Sequence, residues 1–234
     1  MIKVYPYERL GHNRFDWLDT RYHFSFADYH NPQRMGFGAL RVINDDIVKG
    51  GAGFDMHPHK NMEIITYVRK GAITHRDSMD NEGRTEAGDV QVMSAGTGVY
   101  HAEYNREDED ATLFQIWIQP REKNVKPRWD ARKFPKEPVN DRLKLLVSGR
   151  AEDAESGALY IHQDASVSGG ALKAGAAISQ PVRDQAYLVV SEGRVRVAGQ
   201  ELGRGDGAEI TGADKVDIAA LSDAEILMIE VPAI

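Results

Sequence analysis

The chain has 234 residues, 36 acidic against 29 basic side chains, a net charge of −7 and no cysteine. That length can bury a substantial core in one large β domain or two small ones. The missing cysteines exclude disulfides, thiolate metal sites and a cysteine nucleophile, so any metal has to be held by nitrogen and oxygen.

The acidic balance argues against a strong phosphate-binding surface. The opening Met1-Ile2-Lys3-Val4-Tyr5-Pro6 lacks the apolar run of a signal peptide, and no later run is long enough to span a bilayer. The expected location is the cytoplasm. The stretch through Trp17-Leu18-Asp19 is mixed and aromatic and reads as an arm or short strand packed on a domain. Tyr22-His23-Phe24-Ser25-Phe26 alternates in strand fashion, and Gly38 to Ile43 reads as the next strand, with Asn31-Pro32 and Gly36 punctuating the loop between them. Asn44-Asp45-Asp46 reads as a turn, and Gly50-Gly51-Ala52-Gly53 allows a tight one just before His57-Pro58-His59. Met62 to Val68 is a strongly apolar strand, returned by Lys70-Gly71 into Ala72 to Asp77. Ala87-Gly88-Asp89 turns into Val90 to Met93. Gly96-Thr97-Gly98 leads to His101-Ala102-Glu103, and Leu113 to Ile118 is a further core strand.

From Gln119 to Arg142, four prolines and many charges break any regular element, so this stretch reads as a linker over the surface. Strands resume at Leu143 to Val147 and Leu159 to His162. Ala174-Gly175, Ala186 to Val190, Glu192-Gly193 and Gly205-Asp206 then echo Gly51, Ile64 to Val68, Lys70-Gly71 and Gly88-Asp89 in order. Strands at this spacing suggest an all-β barrel or sandwich, and the echo suggests two. Where the first half has histidines the second has Ser179-Gln180-Pro181-Val182-Arg183, which cannot hold a metal. Helix is scarce, with single turns at most near Asp130 to Phe134 and Ala151 to Ala154.

Residues two apart on a strand share a face. His57 and His59 therefore point together, as do His101 and Glu103. If both strands line one barrel, three imidazoles and a carboxylate converge as a metal site. A four-ligand tetrahedral zinc would be structural. An octahedral ion would leave two positions open for substrate or dioxygen, and intracellular structural zinc usually recruits cysteine. Glu63 competes with Glu103 for the carboxylate place, because it lies four residues after His59 with the same strand parity; its alternative role is to orient an imidazole from behind. His75 and His162 lack evident partners and read as structural histidines. His12, His23 and His30 lie near aromatics at positions that could rim a pocket. Phe24, Phe26, Ile65, Tyr67, Phe114 and Trp117 read as core, with a minority lining a cavity. Arg106 to Asp110 is a solvated charge run. No phosphate-cradling loop, serine-nucleophile motif or nucleic-acid module is present.

Gly51, His57, His59, Glu63 and Gly71 resemble the first cupin motif, with the last glycine one position late. Gly98, His101 and Asn105 resemble the tail of the second, with a short insertion after Gly88. Ser25-Phe26, Asn31-Pro32, Gly38 to Val42, His57-Pro58-His59, Ser94 to Gly98 and His101 to Asn105 resemble the pirin family, closest to bacterial members described as quercetin 2,3-dioxygenases. The resemblance covers nearly the whole first half and, in the second, rests on layout. Asn31 stands where an aspartate is common, which touches a loop contact and not the metal. The resemblance implies a bicupin: a metal-binding barrel at 1–133 and a barrel without ligands at 134–234. It implies His57, His59, His101 and Glu103 as ligands of one divalent transition metal ion, with Glu63 outside that shell. Fe(II) is the first expectation, and Zn, Mn, Co, Ni or Cu are alternatives. The implied reaction opens the heterocycle of quercetin or a related flavonol with dioxygen and releases carbon monoxide, with Glu103 or Glu63 taking the flavonol proton. The family also contains redox-sensing transcriptional cofactors, so a metal-bound binding protein without turnover is the alternative. Neither reading needs a membrane or direct contact with nucleic acid.

Overall fold

Short apolar segments parted by turn residues fold here almost wholly into antiparallel strands. The structure, a computed structural model, describes residues 1–233. The first half forms a seven-stranded sheet in the order Arg128–Arg132, Val90–Ser94, Glu63–Lys70, Ala111–Ile118, Leu40–Val48, Leu18–Tyr22, Gly11–Arg14. A four-stranded sheet, Gly53–His59, Val99–Tyr104, Ala72–Asp77, Glu82–Glu86, completes that half. The second half repeats the plan. Its seven-stranded sheet runs Ile2–Tyr5, Gly207–Thr211, Gln185–Glu192, Ala224–Val231, Ser166–Leu172, Lys144–Ser148, Leu159–Tyr160, and its four-stranded sheet runs Ala177–Pro181, Lys215–Ala220, Arg194–Val197, Gln200–Gly203. The fold is therefore a bicupin, all β apart from 3-10 turns at Tyr7–Arg9 and Ala151–Asp153. No helix among the described residues is long and apolar enough to cross a membrane.

The first half lends an edge to the second: Ile2–Tyr5 pairs with Gly207–Thr211 of the second sheet, while Arg128–Arg132, at the end of the first half, takes the matching edge beside Val90–Ser94. Residues 119–142 are thus not wholly linker: between Pro127 and Pro135 the chain is free to donate hydrogen bonds and adds an edge strand. Asn44-Asp45-Asp46 is not a turn either but lies inside Leu40–Val48, where partners on both faces override poor strand propensity. The strand beginning at Leu18 ends at Tyr22. His23 to Phe26 leave it as a loop, whose Ser25 hydroxyl donates to the Asn31 carbonyl at 2.9 Å and accepts from the Asn31 N–H at 2.8 Å.

The seven-stranded sheets share one apolar cluster. Ile65, Tyr67, Phe114 and Ile116 of the first belong to it with Val167, Tyr187, Val189, Leu227 and Ile229 of the second. The barrel interiors differ. The second is filled, and Val139 and Leu143 of the connecting segment join Leu172, Ile178, Val190, Ile226 and Met228 in its core. Gly170 makes room for this plug, since a Cβ there would meet Val139 at 3.0 Å. The first interior holds only two small apolar groups, around Val48 and Leu113 and around Ile64 and Val99, and is polar between them.

Between the barrels, Arg34 lies over the Tyr5 ring at 3.5 Å, pairs with Glu209 and donates to the Tyr187 hydroxyl at 3.0 Å. That hydroxyl also shares a hydrogen bond with His23 Nδ1 at 3.0 Å. Burial, with Arg34 and Arg69 adding repulsion, pushes His23 down from 6.5 to about 3. The unfolded chain therefore binds a proton below about pH 6.5 that the native state refuses, and stability falls from there towards pH 3. The slope from this residue is at most about 1.4 kcal/mol per pH unit. Urea unfolding at pH 6.5, 5.5 and 4.5 should show His23→Asn, whose amide can still hydrogen-bond Tyr187 in either direction, with a shallower slope than wild type. Equal slopes would refute this assignment.

Candidate metal centre

Gly53–His59 pairs antiparallel with Val99–Tyr104 so that His57 faces His101 and His59 faces Val99. The register slips between His101 and Glu103, which partners Phe54, and such a bulge re-aims side chains beside a site. The three imidazoles meet: ring centroids are 4.8 Å apart for His57 and His59, 4.5 Å for His57 and His101, and 4.9 Å for His59 and His101. One ligand nitrogen from each lies within 4.8 Å of the others.

Their protonation suits a metal ion. Burial, reinforced by the neighbouring imidazoles, lowers both His59 and His101 to about 3, so both are neutral near pH 7. His57 Nδ1 donates to the Asp55 carbonyl at 2.6 Å, which leaves its Nε2 lone pair free. The Nε2 atoms of His59 and His101 are buried without a hydrogen-bond partner. Buried polar atoms are rarely left so, and a cation is the partner that three converging lone pairs accept. The residues fit a divalent metal ion, whose identity these donors do not fix.

Glu103 is on the same strand, 3% exposed, and lines the same cavity, although its carboxylate stands outside the three-histidine group. Thr66 Oγ1 donates to its Oε1 at 2.8 Å; Gln91 also bonds Oε1, and Gln115 bonds Oε2. Glu63 is not brought to the site. The chain turns at Lys60 to Met62 and crosses into the other sheet, so strand parity does not carry from His59 to Glu63. Glu63 shares the face of Ile65 and Tyr67 towards the second barrel and accepts from Ser94 Oγ at 2.7 Å, while burial pushes its carboxyl up. His12 pairs with Asp19 and His23 lies between the barrels; His12, His23 and His30 do not line the cavity.

The cavity measures about 470 Å³, within the range of small-molecule sites. Trp17, Phe26, Phe54 and Trp117 form an aromatic wall, and Asn44, Asp46 and Gln115 a polar one. Trp117 stands edge-on to His59 at 4.9 Å. Burial raises Asp46 from 3.8 to about 7, and its Oδ1 has no hydrogen-bond partner. Asp46 was hidden in the sequence by its place in an Asn-Asp-Asp run. His75 was also missed: its spacing of two from Asp77 puts both on one strand face, where His75 Nε2 meets Asp77 Oδ2 at 3.0 Å and its Nδ1 lies 3.4 Å from His101 Nδ1.

The pirin family model matches residues 4–118, and the model described as a quercetinase C-terminal cupin domain matches residues 145–231. A Zymomonas mobilis protein, named as a candidate quercetin 2,3-dioxygenase, is 50% identical over 231 residues, covering 98% of this chain and 97% of its own. An Escherichia coli protein named quercetin 2,3-dioxygenase is 40% identical over 235 residues, covering 99% of both. The crystal structure of the bacterial pirin YhhW from Escherichia coli in complex with nickel(II) is 39% identical, covers 100% of both chains and superposes with a TM-score of 0.92.

A metal ion that binds only the native state stabilises it by about 2.7 kcal/mol at a hundredfold excess over Kd. For a chain of this size that raises the melting temperature by roughly 5–10 °C. Differential scanning fluorimetry with Ni(II) should show that rise in wild type and its loss in His57→Ala and His101→Ala.

Proposed function

The chain belongs to the pirin family, and from that premise we propose that it is a metal-dependent dioxygenase that opens the heterocycle of quercetin or a related flavonol and releases carbon monoxide. The observation that carries this reading is the joining of three converging imidazoles, two of them held neutral by burial, to an aromatic-walled cavity large enough for a polyphenol. The quercetin dioxygenase names of full-length relatives support the same substrate class. His57, His59, His101 and Glu103 are the proposed ligands of a divalent ion, with Fe(II) the first candidate. The nickel-bound relative keeps Ni(II) beside it.

A bound ion supplies Lewis acidity that lowers the pKa of a flavonol hydroxyl and a place for dioxygen next to it. The remaining tasks fall to side chains. Trp17, Phe26, Phe54 and Trp117 hold the flat rings and exclude water. Glu103 is also the proposed proton acceptor: Thr66 and Gln91 occupy its Oε1 and Gln115 one site on its Oε2, so the remaining Oε2 site serves the ion at rest and would have to leave it to take the phenolic proton. Asp46, raised to about 7 on the polar wall, is a second group able to exchange a proton with a phenolic O–H. Glu63 has no part in this scheme, because it faces away from the cavity.

Oxygen uptake and carbon monoxide release should be followed with quercetin and protein loaded separately with Fe(II), Mn(II), Co(II), Ni(II), Cu(II) and Zn(II). Metal-dependent turnover is expected, with kcat lowered about 10²–10⁴-fold in Glu103→Gln, the range for loss of a general base, and unchanged within a factor of a few in Glu63→Gln. Folded, loaded protein that consumes no oxygen with any metal would sink the proposal.

A further inference from the structure

We propose that Asp77 and His75 form a positioning relay that fixes the tautomer of His101 and aims its Nε2 at the metal ion. The inference rests on the reading of His101 as a ligand. It starts from the pairing of Ala72–Asp77 with Val99–Tyr104, which sets Asp77 opposite His101 and His75 opposite Glu103. His75 and Asp77 are almost wholly buried, 1% and 4% exposed, directly behind the imidazole cluster.

The proton positions follow from donor and acceptor accounting. Asp77 Oδ1 accepts from the backbone N–H groups of Met79 at 2.9 Å and Asn81 at 3.1 Å, and its Oδ2 from Asn81 Nδ2 at 2.9 Å. A carboxylate fed by these donors accepts and does not donate, so the hydrogen between Asp77 Oδ2 and His75 lies on His75 Nε2. A neutral His75 then presents a lone pair on Nδ1, and His101 Nδ1 supplies the hydrogen across the 3.4 Å gap. The His101 proton being on Nδ1, its Nε2 carries the lone pair that a metal needs. The opposite tautomer would bury an N–H on Nε2, an atom that has no partner in the protein. The plane of His75 is fixed as well. Trp129 stacks on it with centroids 4.9 Å apart and planes 8° from parallel, and Gly83, across the sheet from His75, leaves room for that indole. Carboxylate and imidazole partners behind a metal-bound histidine commonly set both its orientation and its basicity.

The relay can be reversed by one atom. In Asp77→Asn the two backbone donors keep the amide oxygen at the Oδ1 place, which turns the NH₂ towards His75 Nε2. That nitrogen must then accept, the His75 proton moves to Nδ1, and His101 is driven to the tautomer with Nε2–H. His75→Phe removes the relay and keeps a ring against Trp129. His75→Gln retains an acceptor for His101 and a donor for Asp77.

The test is the Ni(II) dissociation constant of the full chain, measured by chelator competition, with the melting temperature of each metal-free protein as the control for folding. Asp77→Asn and His75→Phe should bind Ni(II) about 10–100-fold more weakly than wild type, the usual effect of losing such a partner. His75→Gln should bind at least tenfold more tightly than His75→Phe at a similar metal-free melting temperature. Wild-type affinity in folded Asp77→Asn or His75→Phe would overturn the relay while leaving the metal site standing. A wild-type protein that binds no Ni(II), Fe(II) or Co(II) would overturn the metal reading, and the relay with it.

Discussion

The first barrel is arranged around a difficulty: three imidazole nitrogens are crowded within 4.8 Å on the wall of a cavity, His101 buried and His57 and His59 half-buried. Protonation of His59 and His101 is disfavoured there by burial and by the neighbouring imidazoles, so these two rings stay neutral with lone pairs inward. Each ring needs something on its other side. The Asp55 carbonyl serves His57, His75 serves His101, and the Trp117 edge packs on His59. The β-bulge between His101 and Glu103 belongs to the same arrangement, because it lets a strand carry two differently aimed polar side chains into one small space.

The second barrel shows what the same plan becomes without that demand. Strand order is repeated, and the first half lends the strand Ile2–Tyr5 to the second sheet, so the two are joined by backbone pairing as well as by their shared apolar face. The position of Gly53–His59 is taken by Ala177–Pro181, and Gln180 there accepts the Leu143 N–H at 2.9 Å. That bond seats the connecting segment, whose Val139 and Leu143 fill the interior. An apolar filling stabilises the barrel, and a hollow polar one supports chemistry. The chain divides these tasks between its halves.

Much of this was legible because it depends on local periodicity. The period-two spacing of His57 with His59 and of His101 with Glu103 is a property of any strand, and it correctly put three histidines together. Strands such as Ala72–Asp77 and Ala111–Ile118 announce themselves by composition. What failed depended on contacts remote in sequence. Parity carried Glu63 to the wrong side because a turn at Lys60 to Met62 hands the chain to another sheet. Asn44 to Asp46 resembled a turn because nothing local reveals Arg69 on one side and the cavity on the other. His75 seemed partnerless because its partners are set by strand pairing, and Arg128–Arg132 was concealed among prolines.

Asp45 and Asp46 show how closely site and fold are tied. They are adjacent, both buried, and both raised by burial, yet Asp45 pairs with Arg69 whereas Asp46 lines the cavity. A slip of one residue in Leu40–Val48 would, in one direction, set Asn44 against Arg69 and carry Asp45 into the cavity, and in the other set Asp46 against Arg69 and Ile47 on the cavity wall. The first slip leaves the Arg69 guanidinium, 4.4 Å from the Phe114 ring and mostly removed from water, without a carboxylate, and breaking a buried pair typically costs about 3–5 kcal/mol. The pair on the outer face of the strand therefore opposes the slip that would carry Asp45 onto the inner face. The polar wall of the cavity is held in place by an interaction that never touches it.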